Sequence, residues 1–144
     1  MPTRPSEPSL LYAVKQVELV VRARLDEVLR PYGVTVLQYT ALTVLERRDG
    51  LTAAELARNA FVTTQSMADL VGALERQQLI ERRRDTDDRR RVLISLSPAG
   101  RDLLAACADD VAALEQRMVA DLSTPEVAAF RAALNACRAA LAAG

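Results

Sequence analysis

Apolar residues recur three and four positions apart along most of the chain, the spacing of one helical face. Leu10, Val14, Val17, Val21, Leu25 and Val28 set that rhythm first, with Ser9 placed to cap the helix and Pro31-Tyr32-Gly33 to stop it near residue 30. Thr35 and Gln38 have capping-box spacing, stapled by Val34 and Tyr39, and a second helix follows through Leu42 and Leu45 to the Asp49-Gly50 turn. Thr52 and Glu55 repeat the box, with Leu51 and Leu56 as staple, for a short helix whose period lapses between Asn59 and Val62. Thr63 or Thr64 then caps a helix over about residues 65–78, in which Met67, Leu70, Val71 and Leu74 share one stripe. The rhythm changes at Leu79-Ile80-Glu81-Arg82 and at Val92-Leu93-Ile94-Ser95-Leu96, short runs rich in branched residues that read as strands. Ser97 and Pro98 open a long helix carrying Leu104, Cys107, Val111, Leu114 and Met118. Ser123-Thr124-Pro125-Glu126 breaks it, and a last helix carries Val127, Phe130, Leu134, Cys137 and Leu141.

Two helices joined by a tight turn and followed by a strand hairpin make a helix-turn-helix with a wing, a mainly α fold with a small β-hairpin. The expected organisation is an N-terminal arm and dimerisation helix over 1–34, a winged helix-turn-helix over 35–100, and a C-terminal helical hairpin over 101–144. The two terminal stripes suggest antiparallel helix-on-helix packing. The first helix and that hairpin have no further partner within the chain, so a second protomer is expected to cover them. A two-fold dimer would set two recognition helices roughly 34 Å apart, one turn of DNA.

The face of the 65–78 helix opposite its apolar stripe carries Gln65, Asp69, Gly72 and Arg76. Gln pairs bidentately with adenine, Asp accepts from cytosine, and Arg forks onto guanine or a phosphate. A mid-helix glycine costs roughly 1 kcal/mol against alanine, and close approach to a DNA backbone is one reason to accept it. Between the strands, Arg82, Arg83, Arg84, Arg89, Arg90 and Arg91 are interleaved with Asp85, Asp87 and Asp88. Six arginines in so short a hairpin exceed what solubility requires. An arginine at the tip suits a minor groove and the others phosphates, with an aspartate fixing a guanidinium.

Thr63-Thr64-Gln65-Ser66-Met67, Leu74-Glu75, Leu79-Ile80-Glu81-Arg82, Asp88-Arg89-Arg90, Leu96-Ser97 and Gly100 together resemble the signature of MarR-type transcription regulators, and the flanking helices have that family's order. The resemblance implies a dimeric winged-helix regulator on a pseudo-palindromic operator in double-stranded DNA. It implies DNA contacts from Thr63, Thr64, Gln65, Ser66, Asp69 and Arg76 on the recognition helix and from Arg84, Arg89, Arg90 and Arg91 on the wing. Arg90 would be the minor-groove residue, with Asp88 as its clamp in a D-x-R pattern. Many relatives release DNA on binding a small aromatic or phenolic effector. By position the lining here would come from Tyr12, Val17, Tyr39 and Leu42, each of which reads more readily as a core residue. Gln78 departs from the family, which often has glycine after the recognition helix.

Composition narrows the alternatives. The 144 residues contain no histidine, which removes His-based general bases, nucleophile–histidine pairs and the commonest zinc ligand. With no phosphate loop or dinucleotide fingerprint either, no enzyme and no cofactor is expected. No run of about 20 apolar residues spans a membrane, and the polar, Pro-rich start does not read as a signal peptide, so a cytoplasmic protein is expected. Net charge is zero, with 19 basic and 19 acidic residues, where a nucleic-acid binder is usually basic. The charge is unevenly placed: residues 81–91 hold six arginines against four carboxylates, and residues 101–144 four against six. Zero net charge and Asp69 keep open a protein-interaction module on the same scaffold. Cys107 and Cys137 are expected to pack as small hydrophobes, a redox-responsive pair being the alternative.

Overall fold

A computed structural model of the chain describes residues 6–143, so most of the predicted arm, residues 1–5, lies outside the described residues. Six α-helices and a two-stranded antiparallel hairpin follow in the order α1 (Leu10–Leu29), α2 (Val36–Arg47), α3 (Ala53–Ala60), α4 (Thr64–Arg76), β1 (Ile80–Arg84), β2 (Val92–Leu96), α5 (Pro98–Met118) and α6 (Thr124–Ala142). The chain divides into two compact units, Met1–Asp109 and Asp110–Gly144.

The helix starts form as the sequence chemistry dictates. Ser9 Oγ accepts from the Tyr12 N–H at 3.1 Å. Thr35/Gln38, Thr52/Glu55 and Ser123/Glu126 each make both bonds of a capping box. Thr63, rather than Thr64, caps α4, accepting from the Ser66 N–H at 3.1 Å. Pro31 ends α1 in a single tight turn over Arg30–Tyr32, closed by Gly33 at φ 75°.

In the first unit α3 packs on α2 and α4, and β2 packs on α2 and α3. The core between them is Leu42, Leu45, Leu56, Met67, Val71, Leu74 and Ile94, with Leu104 and Cys107 of α5 also buried. Leu51, expected only to staple α3, also bridges β2: its N–H donates to the Ile94 carbonyl and the Ile94 N–H donates back, at 3.1 and 2.7 Å. The hairpin register pairs Ile80 with Leu96 and Arg84 with Val92, so β1 runs two residues further into the arginines than expected.

In the second unit α6 buries none of its residues. Phe130 and Leu134 are 37% and 46% exposed. Eight of the 19 residues of α6 are alanine, which offers little area to drive a two-helix contact by itself.

Candidate nucleic-acid interface

Helix α4 buries Met67, Val71 and Leu74, half-buries Leu70, Gly72 and Ala73, and turns the rest outward. Thr63, Thr64, Gln65, Ser66, Asp69 and Arg76 are all exposed, and they gather at the N-terminus and along one face. A Cβ at Gly72 would meet only Arg76 Nη1, at 3.4 Å, so the Arg76 guanidinium lies back along that face over the glycine.

The C-terminal end of α4 explains the departure at Gln78. The Gln78 N–H donates to the Glu75 carbonyl at 3.0 Å and the Leu79 N–H to the Leu74 carbonyl at 3.0 Å, the two bonds of a Schellman motif. The motif needs a left-handed residue between helix and strand, and Gln78 supplies it at φ 62°. The turn has the geometry a glycine would give, with a side chain that favours it less. Gln77 Nε2 donates to the Gly33 carbonyl at 3.0 Å and ties this end of α4 to the turn before α2.

The wing closes with Asp85 N–H donating to the Arg91 carbonyl at 2.9 Å and Arg91 N–H to the Asp88 carbonyl at 3.0 Å. Asp88 Oδ1 accepts from the Arg90 backbone N–H at 3.1 Å and from its Nε at 3.4 Å. It holds the start of the side chain while the side chain as a whole is 93% exposed. Arg84 Nη1 donates to the Arg89 carbonyl at 2.9 Å, bracing the loop across its width. Arg91 turns inward instead: Nη2 lies 2.9 Å from Glu55 Oε1 and Nη1 3.7 Å from Asp85 Oδ2. On the other strand Arg82 pairs with Glu75 of α4.

Glu55 is thus shared between its capping box and the wing. The Thr52 hydroxyl most of all, with the Thr52 backbone N–H and Arg91 adding less, holds its carboxyl below the ordinary value of 4.5, while burial, second in size to the Thr52 hydroxyl, opposes the shift. The Ser123 backbone N–H and hydroxyl do the same for Glu126.

Of the residues expected to line an effector site, two are exposed and two are not. Tyr12 and Val17 are exposed on α1, at positions about 140° apart around the helix. Tyr39 is half-buried on α2 and Leu42 is fully buried in the core. Cys107 is buried, its Sγ–H donating to the Leu104 carbonyl at 3.6 Å, and Cys137 is exposed.

A capped recognition helix set beside an arginine-tipped hairpin defines a winged helix-turn-helix protein. The chain belongs to the MarR family of helix-turn-helix transcription regulators, whose sequence pattern matches residues 32–91. It is 31% identical over 124 residues to the HTH-type transcriptional repressor Rv2887 of Mycobacterium tuberculosis, covering 86% of this chain and 89% of that one. The crystal structure of a Staphylococcus aureus MepR–DNA complex superposes with a TM-score of 0.82 at 28% identity, over 93% and 99% of the two chains. Apo MarR from Escherichia coli shares the fold, with a TM-score of 0.80 at 23% identity over 92% and 98%. The family is one of DNA-binding regulators and not of enzymes. Among the described residues no helix is long and apolar enough to cross a membrane.

Proposed function

We propose that the chain is a cytoplasmic homodimeric repressor of a pseudo-palindromic operator, released when a small aromatic or phenolic molecule binds. The observation that carries the DNA reading is the capped, exposed start of α4 together with an Arg90 side chain 93% exposed at the wing tip. In this reading Thr63, Thr64, Gln65, Ser66, Asp69 and Arg76 meet the major groove, Arg90 enters the minor groove, and Arg84 and Arg89 lie near phosphates. The relative from M. tuberculosis is named a repressor, and the MepR structure holds DNA, which supports the same use of the same fold.

Dimerisation follows from α1 and α6. Seven large apolar residues between Leu10 and Val20 are at least 48% exposed, and Phe130, Leu134 and Leu141 of α6 are exposed as well. Exposed apolar area of this extent marks an interface. For the effector, Tyr12 on α1 and Tyr39 on α2 offer aromatic faces.

The test is fluorescence anisotropy of the protein on duplexes from upstream of its own coding sequence, across a salt series. Among the described residues Arg76, Arg83, Arg84 and Arg89 of the α4–wing region have no ion pair. A dimer then presents about eight such charges, and log K should fall against log salt with a slope no steeper than about −7. Tight binding that resists random competitor duplex supports the proposal. Affinity equal to that for random duplex across genome-derived fragments would refute it.

A further inference from the structure

The two strands of the wing are each tied to a different helix of the helix-turn-helix. Arg82 of β1 pairs with Glu75 of α4, and Arg91, just before β2, pairs with Glu55 of α3. The second tie is the better sheltered. Its carboxylates Glu55 and Asp85 are 27% and 16% exposed, against 39–57% for the carboxylates of the other ion pairs. Glu55 is itself immobilised, because the oxygen that meets Arg91 also accepts from the Thr52 hydroxyl at 2.9 Å and the Thr52 N–H at 3.4 Å. Arg91 is fixed from the other side, since both its backbone N–H and its carbonyl close the hairpin loop. The bond spans 36 residues of sequence and joins the first turn of α3 to the base of the wing loop. The neighbouring Arg90 is the most exposed of the ion-paired arginines, at 93%.

We infer that Arg91 is a positioning residue, which with Glu55 and Asp85 struts the wing against α3 and so sets where Arg89 and Arg90 meet DNA, without contacting DNA itself. The inference rests on the DNA-binding reading above and assigns Glu55 a part in it. Its consequence runs against simple electrostatics. Neutralising a carboxylate beside a DNA-binding surface removes repulsion and should raise affinity. If Glu55 holds the strut, neutralising it lowers affinity instead, because a wing free to swing meets the groove less often in the productive place.

Glu55→Gln isolates this effect, since glutamine at the third helical position keeps the capping box. Operator affinity and salt slope are measured for wild type, Glu55→Gln, Arg91→Met and the double variant, with hydrogen exchange of the wing amides followed in the DNA-free proteins. Each single variant should weaken binding by a few-fold to about tenfold. The double should be no weaker than the worse single, as for two residues of one interaction. The salt slope should stay at the wild-type value, and the Asp85 and Arg91 amides should exchange faster in all three variants. Glu55→Gln binding as tightly as wild type or more tightly overturns the strut. So does a slope reduced by about one per protomer in Arg91→Met, the mark of a lost phosphate contact. Unchanged amide exchange overturns it without reference to DNA, and so separates its failure from failure of the DNA reading.

Discussion

Gly100, in the first turn of α5, is fixed by its surroundings and not by its backbone conformation. A Cβ there would stand 2.2 Å from the Leu79 carbonyl oxygen, 3.2 Å from the Leu79 carbonyl carbon and 3.1 Å from Leu96 Cδ2. Ordinary contact needs about 3.5 Å, so Gly100→Ala must open the α5–β1 contact by about 1 Å. That junction is closely bonded. The Ser97 N–H donates to the Leu79 carbonyl at 3.1 Å and the Ser97 hydroxyl to the Gln78 carbonyl at 2.7 Å. The Gly100 N–H donates to Ser97 Oγ at 3.0 Å. Loss of one or two of these bonds at about 1 kcal/mol each, on top of about 1–3 kcal/mol for overpacking, gives a destabilisation of about 2–5 kcal/mol. At about 2–4 °C per kcal/mol for a chain of this size, Tm should fall by about 4–20 °C at fixed protomer concentration. The sign is diagnostic. On helix propensity alone Gly→Ala gains about 1 kcal/mol, so thermal melts followed by circular dichroism separate the two effects. A Gly100→Ala protein melting at or above wild type would refute the close approach of α5 to Leu79.

Gln78→Gly should stabilise the protein by about 0.5–1 kcal/mol, the left-handed penalty of about 1–2 kcal/mol less the extra freedom of an unfolded glycine; a lower denaturation midpoint would count against it. Gly72→Ala meets only the mobile end of Arg76 at 3.4 Å, so stability should rise by about 1 kcal/mol while operator affinity falls if DNA approaches that face. Operator binding equal to wild type would leave the glycine without a role at the interface. Glu55 titrates below 4.5 in the fold. Its contribution is therefore complete above that pH and is lost as pH falls through the lowered value, since the unfolded chain binds the proton first. Between about pH 5.5 and about pH 3.5, Glu55→Gln should show a flatter Tm profile than wild type, and parallel profiles would argue against the shift.

The helices were legible because their start signals are local. A threonine or serine three residues before Gln or Glu is a complete capping box; the two read in the sequence, Thr35/Gln38 and Thr52/Glu55, both form, and Ser123 with Glu126 makes a third. The polar face of α4 was legible for the same reason, as periodicity fixes which residues share a side. Three things were not legible, and all depend on contacts distant in sequence. The Leu51–Ile94 bridge joins residues 43 apart, and nothing at Leu51 distinguishes a staple from a strand partner. The inward turn of Arg91 depends on Glu55, 36 residues away, so in the sequence Arg91 looked no different from Arg84 and Arg89. The exposure of Tyr12 and Val17 against the burial of Leu42 depends on how α1 leaves α2, which an apolar stripe alone does not say. Cysteines placed alike on two stripes likewise reach different surroundings, one buried and one exposed.

The neutral total charge follows the same logic. Carboxylates at Glu55, Glu75, Asp85 and Asp88 each stand against an arginine of the wing, so part of the wing's charge serves to fix geometry within the protein. Non-specific affinity for duplex scales with the phosphates neutralised, and each internal pair removes one candidate for that role. In the proposed DNA complex, base readout depends instead on how closely α4 and the wing tip are held in register with the grooves. Exchanging loose positive charge for internal ties therefore lowers the first quantity while sharpening the second. A regulator that must find one operator among many random sites is helped by the ratio of the two and not by affinity alone.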